Sequence, residues 1–336
     1  MKNSFGSYLK KNIKSTEIPK NKKILVTGSS GFIGSYLVEA LTEVFSGNKI
    51  YGIDRIYPKK KNFNFYKKDL YKLKKENIPN IKFDYIIHLA GIPSPVYYKK
   101  FPLRTIFFNS ELTRILLEIS KKNKSNFCFF SSSEVYGNPF KKYIPTNESY
   151  CGNVSSISDR SCYDESKRMG ETYTYIYKNY YKVNAKIIRP FNFYGDGMRI
   201  NDERIIPKFF YQSLNFKPIT VFSSGNQTRT YCHIFDAVIM MLKIIFRGKK
   251  FVYNVGNPKG EISALQLAKK IILINKKYKT NLKKVSYPNN YPSDEPLRRC
   301  PDIKNFTDEF KFKPQINIDD GLKIFSRYAE KNFKKY

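Results

Sequence analysis

Residues 24–34 read I-L-V-T-G-S-S-G-F-I-G, and no other stretch constrains the fold as strongly. A short apolar run, Ile24 to Val26, stops at Thr27, and glycines follow at 28, 31 and 34. Phe32, Ile33, Leu37, Val38 and Leu41 then recur at helical spacing. The pattern predicts a buried strand, a tight turn and a helix whose first turn carries glycine. Gly28 permits a turn that a Cβ would obstruct, Gly31 lets a pyrophosphate approach the backbone, and Gly34 lets the helix pack closely. The unpaired N–H groups of the first helical turn then face the anion. A second apolar run, Ile50 to Ile53, ends in Asp54, twenty residues after Gly34. An acid there accepts the adenosine ribose hydroxyls and repels a 2′-phosphate, so NAD is favoured over NADP. Arg55 follows directly and weakens that preference.

The rest of the chain suits such a frame. Its 336 residues can bury one large core or two lobes. Strands and helices alternate, which predicts a doubly wound parallel sheet of Rossmann type. Residues 1–21 are polar and Lys-rich and read as a flexible basic arm with one helical turn. Residues 22–189 read as the NAD-binding domain, with strands at 64–67, 84–89, 126–130 and 185–189 and helices at 101–122 and 159–181. A strand near 251–256 returns to the sheet, and residues 190–336 otherwise read as a substrate-binding lobe ending in helices at 263–275 and 318–331. In open sheets of this kind the site lies at the carboxyl ends of the strands, which places Gly28, Ala90, Ser132 and Asn192 along one crevice.

Composition narrows the function classes. No run of 18 apolar residues signals a membrane span, and the Lys-rich start lacks the apolar core of a secretory signal. Five cysteines without a CxxC pair suit a reducing cytoplasm. Two histidines, His88 and His233, and no Cys/His cluster predict no metal centre. The net charge of +33 raises the question of a polyanionic partner. The lysines are scattered in short runs such as 59–61 rather than gathered in a stripe, so no specific nucleic-acid partner is expected. A positive field would still attract a small anionic substrate.

Tyr163 and Lys167 stand four residues apart on one predicted helical face. A nearby cation lowers a phenol's pKa, so Tyr163 could take a proton from a sugar hydroxyl while hydride leaves the same carbon. Ser132, at the end of the preceding strand, could share the substrate oxygen. His88, inside a buried strand, reads as structural.

The glycine fingerprint with the Ser132, Tyr163 and Lys167 set resembles the extended short-chain dehydrogenase/reductases that act on nucleotide sugars. Several stretches are similar to the UDP-glucuronate decarboxylases: residues 88–95 (H-L-A-G-I-P-S-P), 132–137 (S-S-E-V-Y-G), 150–167, 189–195 (R-P-F-N-F-Y-G), 225–231 (G-N-Q-T-R-T-Y) and 294–303 (D-E-P-L-R-R-C-P-D-I). The resemblance implies cofactor roles for Gly28, Gly31, Phe32, Ile33, Gly34, Asp54, Leu89 and Ala90, with Asp69 near the adenine. It implies Tyr163 as base, Lys167 as its partner and ribose ligand, Ser132 as the shared hydroxyl, Glu134 as the active-site glutamate and Arg229 near the substrate carboxylate. Asn192, Arg204 and Arg299 fall where the family holds the UDP and its diphosphate. The implied reaction is decarboxylation of UDP-glucuronate to UDP-xylose through a 4-keto intermediate, with 4,6-dehydration or 4-epimerisation as the enzymatic alternatives and a noncatalytic RNA- or protein-binding role as the remote one. A homodimer is the family habit. The chain departs from the family at Tyr36, Cys151, Ser155-Ser156 and Asp196-Gly197, the last replacing a usual Pro-Arg.

Overall fold

The structure is a computed structural model that describes residues 5–71, 73, 78–287 and 296–334. In chain order the elements are α1 (Phe5–Asn12), β1 (Lys23–Thr27), α2 (Phe32–Glu39, continued by a π-helical turn), β2 (Lys49–Asp54), β3 (Asn64–Lys67), β4 (Tyr85–His88), α3 (Pro95–Lys100), α4 (Pro102–Asn109), α5 (Glu111–Asn123), β5 (Asn126–Phe130), α6 (Ser161–Asn179) and β6 (Ala185–Pro190). The remainder comprises β7 (Phe193–Tyr194), α7 (Ile205–Leu214), β8 (Ile219–Phe222), β9 (Thr228–Arg229), β10 (Cys232–His233), α8 (Ile234–Arg247), β11 (Val252–Val255), β12 (Ile262–Ser263), α9 (Ala264–Ile274), β13 (Leu282–Val285), β14 (Arg298–Arg299), α10 (Lys304–Phe310) and α11 (Ile318–Phe333).

Among the described residues, seven parallel strands form one sheet in the order β11-β6-β5-β4-β1-β2-β3. The predicted doubly wound α/β architecture and the returning strand are both present. The order reverses at β1, which is where such sheets bind ligands. Strand alternation divides the core. Ile24 and Val26 face α1, α2 and α8, whereas Leu25 faces the opposite layer with Leu112 and Leu116 of α5. A separate core around Phe209, Phe210, Leu267 and Phe325 builds the second lobe.

Two sequence expectations change. Residues 5–18 are not a loose arm: Phe5, Leu9, Ile13 and Ile18 are buried in the core beneath α8. Tyr8 donates to Asp236 at 2.7 Å, and Lys243 pairs with Glu17 at 2.6 Å. The spacing of Phe5, Leu9 and Ile13 gives an apolar stripe that the surrounding lysines obscure. The helix expected over 101–122 is two helices, α4 and α5, breaking at Ser110, whose hydroxyl bonds back to Ile106 O. Helix α8 is buried almost all round, with Asp236 and Lys243 on the side that meets Tyr8 and Glu17.

Candidate active site

The glycine loop takes the expected form. Gly28 has φ +73°, and a Cβ on it would lie 2.9 Å from Ala90 N, so the ends of β1 and β4 touch here. A Cβ on Gly34 would lie 2.2 Å from Gly28 O, so this glycine lets the loop close on its own helix. Asp54 lies at the end of β2, where its carboxylate accepts N–H bonds from Ser30 at 3.0 Å and Ile56 at 3.0 Å. The buried Ser29 and Ser30 hydroxyls of this loop have no protein partner. Backbone that only glycine tolerates, unpaired hydroxyls, the first turn of α2 and a carboxylate at the next strand end fit a dinucleotide. Asp69 follows β3 and pairs with Arg104 at 2.6 Å, and Arg104 lies over the Tyr71 ring.

His88 is structural, as its position in β4 implies. Its Nε2 lies 3.0 Å from Phe108 O and must donate, so its Nδ1 accepts from Thr27 Oγ1 at 2.8 Å. Burial lowers its pKa to about 3. This chain of bonds fastens the strand end that carries Leu89 and Ala90.

Tyr163, Lys167 and Ser132 come together at the ends of β4 and β5. Tyr163 is buried and stacks on Tyr98 with centroids 5.2 Å apart, and the Ser132 hydroxyl acts on its phenol. Lys167 Nζ donates to Phe130 O at 2.6 Å. A Cβ on Gly91 would lie 3.8 Å from that Nζ, which sets the lysine beside the β4 crevice. The electrostatics differ from the simple expectation. Burial pushes the Tyr163 phenol above its ordinary value, against the lowering effect of the Ser132 hydrogen bond. Burial also pushes Lys167 down to about 7. The lysine nitrogen lies 5.9 Å from the Tyr163 ring centroid, and desolvation outweighs any help it gives the phenolate.

Glu134 sits in a 3₁₀ turn just after Ser132, whose hydroxyl accepts its N–H at 3.2 Å. Its carboxylate takes both Nη atoms of Arg299 and Nη2 of Arg160. Arg160 Nε in turn reaches Asp164 at 3.3 Å. Arg299, expected at the diphosphate, therefore holds Glu134. Sequence reading missed Arg160 and Asp164, although both lie inside the distinctive 150–167 stretch, one turn apart at the start of α6. Arg229 and Arg299 are direct partners on the parallel strands β9 and β14, so their side chains leave the same face. The buried Arg229 guanidinium donates to the carbonyls of Thr228, Pro296 and Leu297.

The remaining expected residues are farther along the crevice. Asn192, at φ +44°, donates to Thr230 O at 2.9 Å. Arg204 precedes α7, forks onto Asp202, and lies 5.7 Å from the ring of Phe32 in the glycine-loop helix. Asp294 and Glu295 of the family-like 294–303 stretch lie outside the described residues.

Comparison with known proteins agrees with this geometry. The model of the NAD dependent epimerase/dehydratase family matches residues 24–256. UDP-glucuronic acid decarboxylase 6 of Arabidopsis thaliana is 34% identical over 308 residues, covering 90% of this chain and 88% of that protein. UDP-glucuronic acid decarboxylase 1 of Danio rerio is 32% identical over 320 residues, or 92% of this chain and 74% of that one. The crystal structure of UDP-glucuronic acid 4-epimerase from Bacillus cereus with UDP-glucuronic acid and NAD superposes with a TM-score of 0.76 at 27% identity, covering 92% of this chain and 99% of that one. With its glycine loop, its Ser132–Tyr163–Lys167 corner and a family match across most of its sheet, the chain belongs to the NAD dependent epimerase/dehydratase family, whose cofactor is NAD.

Proposed function

We propose that the chain decarboxylates UDP-glucuronate to UDP-xylose. One observation carries the reading: Arg229 stands in register beside Arg299, and Arg299 grips Glu134 next to the Ser132–Tyr163 pair. The Arg299 guanidinium thus reaches this corner with Arg229 beside it in the sheet, and guanidinium groups are the best side chains for a carboxylate-bearing sugar. The decarboxylase names of the most similar relatives point the same way.

The chemistry follows from these groups. NAD, when bound, supplies a reversible hydride acceptor at C4 and, when oxidised, a positive charge that favours the Tyr163 phenolate. Tyr163 takes the C4 hydroxyl proton, and Ser132 bonds the same oxygen. The 4-keto-uronate is a β-keto acid. Its carboxylate leaves as carbon dioxide, with the bonding electrons drawn into the ketone. Ser132 and Tyr163 then stabilise the oxygen on which charge grows. Protonation at C5 and return of hydride to C4 complete the cycle. Gly28, Gly31, Phe32, Ile33, Gly34, Asp54, Leu89 and Ala90 hold the cofactor in this reading, and Asn192, Arg204 and Arg229 orient the UDP-sugar.

A homodimer is part of the proposal. The neighbouring helices α4 and α6 expose Leu103 and Ile106, and Met169 and Tyr175, which suit burial against a second copy. A cytoplasmic setting is proposed from the five free cysteines. Among the described residues no helix is long and apolar enough to cross a membrane.

Incubation with UDP-glucuronate and NAD+, followed by mass spectrometry, tests the reaction. A UDP-pentose with release of carbon dioxide is the expected result. A product of unchanged mass, the C4 epimer, would replace this reading with epimerisation, which the similarity to the Bacillus cereus enzyme favours as the second possibility. Turnover of UDP-glucose with UDP-glucuronate inert would overturn the uronate assignment.

A further inference from the structure

Glu134 does not stand alone in the site. Its carboxylate lies between Arg299, which arrives from the second lobe, and Arg160, at the start of the helix that carries Tyr163. Three N–H groups occupy its oxygens, two of them on Oε2. A carboxylate has room for about four such bonds, so among the described residues one position is left, on Oε1. A group held this way has one direction in which to meet a sugar hydroxyl or a water. Arg160 is itself shared, because its Nε reaches Asp164 Oδ2. Side-chain exposure is 3% for Arg160, 5% for Asp164 and 16% for Glu134, so the competition takes place largely out of water. There a lone charge is costly, and each of these carboxylates has an arginine beside it.

We infer that Arg160 and Asp164 are positioning residues that set how firmly, and in which direction, Glu134 is presented to the substrate. Arg160 is the shared element: its guanidinium bridges the two carboxylates, through Nε to Asp164 and through Nη2 to Glu134. This rests on the reading of Glu134 as a substrate-facing group.

The state of Asp164 sets the division. Its Oδ1 is buried and has no hydrogen-bond partner among the described residues. The groups that face it are Glu134 from the turn after β5, Arg299 from β14, and Arg160, Cys162 and Tyr163 from its own helix. Burial raises its pKa to about 7, the Glu134 charge adds to this, and the two arginines oppose it. When Asp164 is protonated it competes weakly for Arg160, and the fork turns to Glu134. When it is ionised, Arg160 is drawn back along its own helix.

Two measurements decide the matter. The first is a carboxyl-carbon NMR titration of the substrate-free protein. Wild type should show a carboxyl titrating near neutrality that vanishes in Asp164→Asn. In Glu134→Gln the same signal should titrate at lower pH, because a neighbouring negative charge is gone. The second is steady-state turnover of UDP-glucuronate. Arg160→Lys keeps the charge but cannot bridge both carboxylates, so kcat should fall about 10- to 100-fold with KM within about threefold. Asp164→Asn should change the shape of the near-neutral region of the kcat profile, taking away the Asp164 ionisation and leaving that of Lys167. A purely structural role would instead lower the melting temperature and leave the profile's shape intact, and that result would overturn the inference. So would a titration unchanged in Asp164→Asn or unmoved in Glu134→Gln. If wild type leaves UDP-glucuronate untouched, the decarboxylase reading fails while the NMR titration still decides whether Asp164 and Glu134 are coupled.

Discussion

Lys167 Nζ donates to Phe130 O at 2.6 Å, so the ammonium of the Tyr-Lys pair is anchored to the end of β5 rather than to the phenol it serves. The bond fixes the pitch of α6 against the sheet, and with it the place of Tyr163. It also leaves a lysine wholly within the protein, where its charged form is disfavoured.

That burial has a measurable sign. The folded pKa of Lys167 is lowered to about 7, against about 10.4 for an exposed lysine. Between these values the unfolded chain binds more protons, so this residue makes stability rise with pH. The slope is at most about 1.4 kcal/mol per pH unit. Below the folded pKa the lysine is charged in both states and its full penalty is present. Denaturant midpoints taken at neutral and alkaline pH should show this rise in wild type and not in Lys167→Met. Parallel pH dependence in the two proteins would mean that the lysine remains hydrated.

Tyr163→Phe removes the proton acceptor and keeps the ring that stacks on Tyr98. Loss of a general base costs about 10² to 10⁴-fold. Nicotinamide absorbance in a stopped-flow mixing experiment should therefore show the first hydride transfer slowed by that factor. A rate within about threefold of wild type would remove Tyr163 from the base role.

Gly34→Ala drives a methyl against Gly28 O and Ser29 Cα, both part of the backbone of the phosphate loop. Displacing that loop should cost about 2 to 3 kcal/mol, near a hundredfold in the Kd for NAD. Calorimetric titration checks it. Gly6→Ala is the control: its added Cβ meets only Val44 at an ordinary 3.5 Å, inside helix α1. It should leave NAD binding alone and add about 0.5 to 1 kcal/mol of stability.

Asp236 accepts the Tyr8 hydroxyl and the backbone N–H groups of Gln315 and Ile316. Tyr8→Phe deletes one hydrogen bond and should cost about 1 kcal/mol. Asp236→Ala leaves two backbone donors and a phenol unmet, and should cost about 3 kcal/mol or more. Chemical denaturation separates the two. Equal losses would show that the carboxylate's other bonds contribute nothing.

The parts of this protein that could be read from its sequence are those encoded within a few residues. The glycine loop is one: Gly28, Gly31 and Gly34 act through their own backbone, and Asp54 ends the very next strand. The tyrosine and lysine of α6 are another, since helical spacing fixes their common face. Features created by distant partners were not legible. Arg299 reaches Glu134 across 165 residues of chain, so its part in the glutamate's cage left no local trace. Arg160 and Asp164 lie in the distinctive 150–167 stretch, but nothing local tells that they meet Glu134 from 26 and 30 residues away. The apolar stripe of α1 was present in the sequence, but the helix that covers it is far along the chain, with Tyr8 and its partner Asp236 228 residues apart.

The docking of α1 has a further consequence, for the order in which the protein can be completed. Tyr8 meets a partner 228 residues later, Glu17 one 226 residues later, and Asn12 one 303 residues later. At ribosomal speeds of about 5 to 20 residues per second, the first of these waits about 10 to 50 seconds for its partner to be made. Throughout that time Phe5, Leu9 and Ile13 lack α8, against which they are finally buried. The nascent chain therefore carries an uncovered apolar stripe at Phe5, Leu9 and Ile13, and the lysines interleaved with it keep that segment soluble until α8 is made to close over it.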